Sequence, residues 1–254
     1  MRGVVRAAKL RRTKGPVLVQ RTFDSEEFAR KLVGAAGFAA FEADVREQRY
    51  AKFEAAFAPE EAMKLFDVER LERGVANGAI ALALIDIYSN DHIVRLGDLA
   101  DKTGRSPIDV AAQHLREGAT LRVRDIELAD PGLAALRDAV QAQYEAKAQI
   151  NLYLTPPQRQ GFPPHFDTTD VLVVQIAGEK AWRLFESYAH EVKLPTSDTA
   201  WDPLRYTPNG EGEPVVLRQG DVLYIPRGGM HAAATVGETS MHLTISLAPT
   251  TFAE

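Results

Sequence analysis

Asn151-Leu-Tyr-Leu-Thr155, Gly161-Phe-Pro-Pro-His165-Phe-Asp167 and Asp170-Val-Leu-Val-Val-Gln-Ile-Ala-Gly-Glu-Lys180-Ala-Trp-Arg-Leu-Phe185 follow one another within a single stretch, 151–185. Successive side chains on a strand face opposite sides, so Asn151, Tyr153 and Thr155 form one polar row and Leu152 and Leu154 an apolar one. The Val/Leu/Ile run after Asp170 is short, β-branched and bounded by turn residues, which favours a buried strand. His165 and Asp167 are two residues apart. On extended backbone their imidazole and carboxylate share a side and can take adjacent places around one ion. His231 comes 66 residues after His165, inside Ile225-Pro-Arg-Gly-Gly-Met-His231, and has to return by tertiary structure. Three such ligands leave the opposite face of an octahedral ion open, an arrangement suited to non-haem Fe(II) and oxygen chemistry.

Outward from this stretch the pattern continues. Eight strand candidates, at 149–154, 170–176, 180–185, 191–194, 214–218, 221–226, 231–236 and 240–247, are divided by turns such as Thr207-Pro-Asn-Gly and Gln219-Gly-Asp. That is the spacing of a double-sheet jelly roll. His242, Thr244 and Ser246 share a face against Leu243, Ile245 and Leu247, so two strands offer polar rows beside the ligand candidates. A 2-oxo acid chelating such an ion leaves a distal carboxylate in need of a cation. Lys180, just past the Gly178-Glu179 turn and so one hairpin away from the ligand strand, is placed to supply it.

Residues 1–147 read as a mixed α/β region packed on a core formed by 148–254, one domain overall. A strand is expected over Gly15–Phe23, and a helix from Ser25 to about Ala36, opened by Asp24 and Glu27 in capping-box spacing. A buried strand is expected at Ala79–Ile87, a half-exposed strand at Thr120–Ile126 and an amphipathic helix from Pro131 to Lys147. Leu96–Gly118 has the rhythm of a helix-turn-helix, yet residues 91–118 hold four Arg/Lys against five Asp/Glu. A phosphate-facing recognition helix needs the opposite balance, so a helical pair against a sheet is expected and nucleic acid is not the expected partner.

The 254 residues carry a net charge of −5, with 45% hydrophobic and 26% charged residues, the composition of a soluble globular protein. Residues 1–14 carry six cations (Arg2, Arg6, Lys9, Arg11, Arg12 and Lys14) and no acidic residue, which leaves −11 on the residues after Lys14. The basic start reads as a solvated terminus. There is no secretory h-region and no apolar run long enough for a membrane span. The absence of cysteine fits a cytoplasmic protein.

Taken together, 151–185 and 224–246 resemble the JmjC-domain ribosomal-oxygenase family, the cupin-4 group. Its pattern runs Asn-x-Tyr-x-Thr-Pro-Pro, Gly-Phe/Leu-x-Pro-His-Tyr-Asp, Gln-x-x-Gly-x-Lys-x-Trp-Arg, Pro-x-Gly-x-x-His and Ser-x-His-x-Thr-x-Ser. Here Phe166 replaces the usual tyrosine and Met241 a leucine. The match is specific over 149–249 and fainter from Arg116 to Gly132. The resemblance implies a mainly β protein with an α-helical N-terminal part, built on a double-stranded β-helix. It also implies an Fe(II)- and 2-oxoglutarate-dependent dioxygenase that uses O2 to hydroxylate an amino-acid side chain, His- or Arg-like, of a peptide or protein. His165, Asp167 and His231 would be the iron ligands, Lys180 and Asn151 would hold 2-oxoglutarate, and Tyr153 and Ser246 would touch the substrate residue. Ribosomal members of the family continue into dimerisation helices and a winged helix, whereas this chain stops at Glu254. A short form is therefore expected, and the homodimer and the identity of the substrate, whether ribosomal protein, small peptide or carrier-bound amino acid, are left open.

Other polar residues are expected to do less. His92, His114 and His190 read as surface or packing histidines, His242 as a satisfied core histidine, and Trp182 and Phe185 as core. Gly228 and Gly229 could shape a close approach to the metal or simply a turn. A cupin-type metal-dependent binder or isomerase is the alternative of another class.

Overall fold

The computed structural model describes residues 4–8, 22–24, 49–89, 92–144, 146–185 and 208–248. The expected helix from Ser25, the strand at 191–194, His190 and all but the end of the strand at Gly15–Phe23 lie outside these residues.

Among the described residues the strands are β1 (Val4–Ala8), β2 (Thr22–Asp24), β3 (Ala51–Phe53), β4 (Ile85–Ser89), β5 (His92–Arg95), β6 (Thr120–Val123), β7 (Lys147–Thr155), β8 (Asp170–Ala177), β9 (Lys180–Leu184), β10 (Glu213–Leu217), β11 (Val222–Ile225), β12 (His231–Thr235) and β13 (Ser240–Ala248). The helices are α1 (Pro59–Leu65), α2 (Val68–Ala76), α3 (Leu96–Thr103), α4 (Pro107–Arg116) and α5 (Pro131–Tyr144). An antiparallel sheet runs β2-β1-β3-β11-β8-β13-β7-β6-β4-β5, and a three-stranded sheet runs β10-β9-β12. This is the expected jelly roll, with its large sheet widened at both sides by strands from the N-terminal half.

The apolar pattern explains the layering. In β8, Leu172, Val174 and Ile176 face one way and Val171, Val173 and Gln175 the other, and all six are buried. A strand covered on both faces needs a near-continuous apolar run. One face of the large sheet takes α1 over β8 and α5 over β7 and β13, burying Ile150, Leu152, Leu243 and Ile245 completely. The other face meets the small sheet, whose Lys180, Trp182 and Leu184 lie opposite Thr235, Ala233 and His231 in the β9–β12 register. One large hydrophobic cluster joins residues from Tyr50 to Leu247, and a small second one gathers Phe185, Met230 and Ala232.

Local signals set the helix ends. Asp67 accepts the Arg70 N–H at the start of α2, Asp130 Oδ1 accepts the Leu133 N–H at the start of α5, and Gly104 closes α3 with a φ of 65°. The Leu96–Gly118 segment is the expected helical pair. Three expectations change. Ala79–Ile87 is not one strand: Leu82–Leu84 form a 3-10 turn and extension begins at Ile85, because the Ala/Leu alternation lacks the β-branched residues that favour strand. The basic start is not wholly a solvated tail, since β1 pairs with β2 and β3. The Gly178-Glu179 turn is not a hairpin. It carries the chain from β8 in the large sheet to β9 in the small one.

Candidate metal centre

His165 and His231 are brought face to face by the backbone. Each donates its N–H to the other's carbonyl, at 3.0 and 2.8 Å, a hydrogen-bonded antiparallel pair that projects both side chains to one side. Asp167, two residues on, joins them, and its carbonyl accepts the Gly228 N–H at 2.8 Å. One ligand atom from each of His165, Asp167 and His231 lies within 4.8 Å of the others. Both rings are oriented: Nδ1 of His165 lies 2.7 Å from the Pro163 carbonyl, and Nδ1 of His231 lies 2.9 Å from the Gly229 carbonyl. A carbonyl only accepts, so each Nδ1 carries the hydrogen and each Nε2 keeps its lone pair for an ion. Burial, then the neighbouring His165, pushes His231 down to about 4, against the opposing pull of Asp167. His231 is therefore neutral near pH 7, and its Nε2, 3.6 Å from Asp167 Oδ2, forms no ion pair there. Two neutral imidazoles and a carboxylate are the donor set that a divalent first-row ion takes.

These ligands open on a cavity of about 60 Å3, lined also by Tyr153, Phe162, Val171, Val173, Lys180, Trp182, Ile225, His242 and Thr244. Lys180 is buried in its wall. Its Nζ donates to Thr155 Oγ1 at 3.2 Å, and no carboxylate among the described residues pairs with it. Burial pushes it down to about 7. Gly161 leaves space beside the ammonium, where a Cβ would stand 3.7 Å from Nζ. An amine without a carboxylate partner in the wall of a partly polar cavity fits a small anionic ligand.

The remaining expected residues separate. Tyr153 lines the cavity, and burial raises its phenol above the usual range, so it remains protonated. Asn151 shares Tyr153's face but not the cavity: its Oδ1 accepts the Asp125 N–H at 3.2 Å and the Gln149 amide at 3.3 Å. Ser246 lines a neighbouring cavity with Gln149, Thr169 and Glu127. Gly229 is tightly packed, since a Cβ there would meet Tyr50 Oη at 2.8 Å. His92 is exposed, and His114 lies 3.6 Å from Glu117 at the surface.

Two residues have a different place from the one expected. Trp182 is buried but lines the cavity, and its indole Nε1 has no hydrogen-bond partner among the described residues. His242 is not a satisfied core histidine: it lines the same cavity, and its Nδ1 has no partner among the described residues. Parity carried the signal for Trp182, which must face the same way as Lys180 two residues earlier.

The family pattern described as the JmjC domain matches residues 127–254, half of the chain. Over 135 residues the chain is 38% identical to the bifunctional lysine-specific demethylase and histidyl-hydroxylase NO66 of Drosophila willistoni, covering 52% of this chain and 17% of that protein. Over 200 residues it is 32% identical to ribosomal oxygenase 1 of Bos taurus, covering 70% of this chain and 29% of that protein. The solved structure of YcfD, a ribosomal oxygenase from Escherichia coli, in complex with cobalt and succinic acid is similar in fold, with a TM-score of 0.55, 19% identity, and coverage of 83% of this chain and 52% of that one. The chain thus spans under a third of the length of the two curated relatives and about half of the bacterial protein. On the pattern matched over 127–254, the chain belongs to the JmjC domain family.

Proposed function

We propose that this protein is an Fe(II)- and 2-oxoglutarate-dependent oxygenase that hydroxylates an amino-acid side chain of a peptide or protein. The observation that carries the reading is the His165–Asp167–His231 cluster opening on the same cavity as the buried amine of Lys180. The relatives named for histidyl hydroxylation and ribosomal oxygenation support a polypeptide substrate and a His-like target. The absence of cysteine suits a cytoplasmic site of action.

His165, Asp167 and His231 would hold the iron. When bound, iron with 2-oxoglutarate and O2 supplies the oxidising power for hydroxylating an unactivated C–H bond, and the cosubstrate leaves as succinate and CO2. Lys180 holds the distal carboxylate of the cosubstrate, and Thr155 Oγ1 aims its ammonium. Val171, Val173 and Ile225 keep water from that end. Tyr153 offers its hydroxyl to the substrate residue, and Ser246, in the adjoining cavity, meets a flanking part of the chain. Asn151, whose side-chain oxygen already accepts the Asp125 N–H, holds that loop against β7.

Anaerobic titration with Fe(II) and 2-oxoglutarate should give a weak visible metal-to-ligand band that His165→Ala abolishes. Incubation with candidate peptides in air should add one oxygen to the peptide and release succinate. Protein that binds neither iron nor 2-oxoglutarate overturns the proposal, and metal binding indifferent to 2-oxoglutarate points to a cupin-type binder instead.

A further inference from the structure

Two residues of the cavity wall, Trp182 and His242, each carry a buried polar atom that has no partner among the described residues. Trp182 is 5% exposed and His242 2% exposed, and neither indole Nε1 nor imidazole Nδ1 finds a hydrogen bond. Buried polar groups are almost always paired, because an unpaired one forfeits its hydration for nothing. Two such groups on residues that line one cavity therefore point to a ligand that completes them. Neither ring is free to turn elsewhere. His242 stacks on Tyr153 with centroids 4.9 Å apart and planes 1° from parallel, and Trp182 packs edge-on to His242 at 5.7 Å. Their position is also informative. The inward residues of β9 are Lys180, Trp182 and Leu184, paired across to Thr235, Ala233 and His231, so Trp182 lies between the amine and the metal ligand. His242 is close enough to Lys180 for the ammonium to disfavour its charged form, after burial itself.

Resting on the oxygenase reading above, we infer that Trp182 and His242 are specificity-determining residues for the cosubstrate. Their ring N–H groups join Lys180 in binding the distal carboxylate of 2-oxoglutarate. An indole N–H only donates, and Nδ1 donates when it carries the hydrogen of the neutral ring. Together with the ammonium they offer donors to both oxygens of one carboxylate, which a 2-oxo acid lacking that group cannot use. Selection by unmet buried donors is stronger than selection by size, since the wrong acid leaves them unpaired.

The test is calorimetric titration of the Zn(II)-loaded protein with 2-oxoglutarate and, separately, with pyruvate, which keeps the chelating keto-acid end and lacks the distal carboxylate. The unaltered protein should prefer 2-oxoglutarate. Trp182→Phe and His242→Phe should each weaken 2-oxoglutarate about tenfold or more, as expected for loss of a hydrogen bond to a charged group, and leave pyruvate within about twofold. Zinc content should be unchanged, which also shows that the variants fold. His242→Asn, which keeps an N–H near the Nδ1 position, should recover most of the loss. Unchanged 2-oxoglutarate affinity in both variants overturns the assignment, as does equal weakening of both acids, the mark of a merely structural role. Unaltered protein that takes up zinc and neither acid overturns the oxygenase reading, and this assignment with it.

Discussion

Lys180 shows how function opposes stability at a single residue. A buried cation gives up hydration, and with no carboxylate beside it among the described residues the one hydrogen bond to Thr155 Oγ1 restores only part of the loss. Its folded value of about 7 lies below its ordinary 10.5. Between these values the unfolded chain binds more protons than the folded one, so this residue makes stability rise with pH from about 7 to 10.5; below 7 its penalty is complete. Lys180→Met removes the penalty. At pH 7 the ligand-free variant should be more stable by something on the order of a few kcal/mol, and its advantage should shrink as the pH approaches 10, which denaturant melts at several pH values would measure. The same variant should lose 2-oxoglutarate binding. In the unaltered protein, cosubstrate affinity should fall as pH rises through 7, because the ammonium is the form that binds a carboxylate.

At the scale of the element, the β8–β9 corner positions this lysine. Two residues, Gly178 and Glu179, move the chain between sheets, and Lys180 is the first residue of β9. Gly178 has a φ of 63°, and a Cβ there would stand 2.2 Å from the Thr239 carbonyl oxygen. Gln175 braces the corner, donating to the Ala177 and Gly178 carbonyls and to Ser240 Oγ. Gly178→Ala adds a left-handed-region penalty to a backbone collision and should cost about 2–3 kcal/mol. The melting temperature should fall on the order of 5–10 °C. Differential scanning calorimetry would check this, and an unchanged melting temperature would show that the corner can relax. A corresponding constraint acts at β12, where the crowded Gly229 carbonyl holds the His231 ring.

At the scale of the molecule, the N-terminal half does more than lean on a finished core. β3 pairs with β11 on one side of the core strands and β6 with β7 on the other, and the buried cluster takes residues from both halves. Removing 1–147 would leave two long edges of the large sheet unpaired and uncover Ile150 and Leu152 beneath α5, a strong aggregation template. Residues 148–254 made alone should therefore show no cooperative thermal transition and should aggregate, whereas the full chain should melt in one step; light scattering and circular dichroism distinguish the two. A well-folded 148–254 fragment would mean that the added strands are accessory.

The sequence by itself determined the candidate donor set and the inner sheet. His165-x-Asp167 on extended backbone, a Pro-x-Gly-x-x-His segment ending in His231, and the alternation of β7 and β13 are local facts, because side-chain parity follows from two residues of backbone. Parity also pointed Tyr153, Thr155 and Thr244 inward. It could not say how far along a face the cavity reaches: Asn151 has Tyr153's parity yet faces the Asp125 loop, and Ser246 has His242's parity yet opens on another cavity. Nor could it show that Trp182 and His242 lack partners, since satisfaction of a buried donor depends on what the opposite sheet brings within about 3 Å. Tertiary structure alone decided that Gly178-Glu179 is a corner between sheets and that the strands at 51–53 and 85–95 extend the large one. Strand pairing between distant segments is fixed by the packing of the whole core, which no short window of sequence contains.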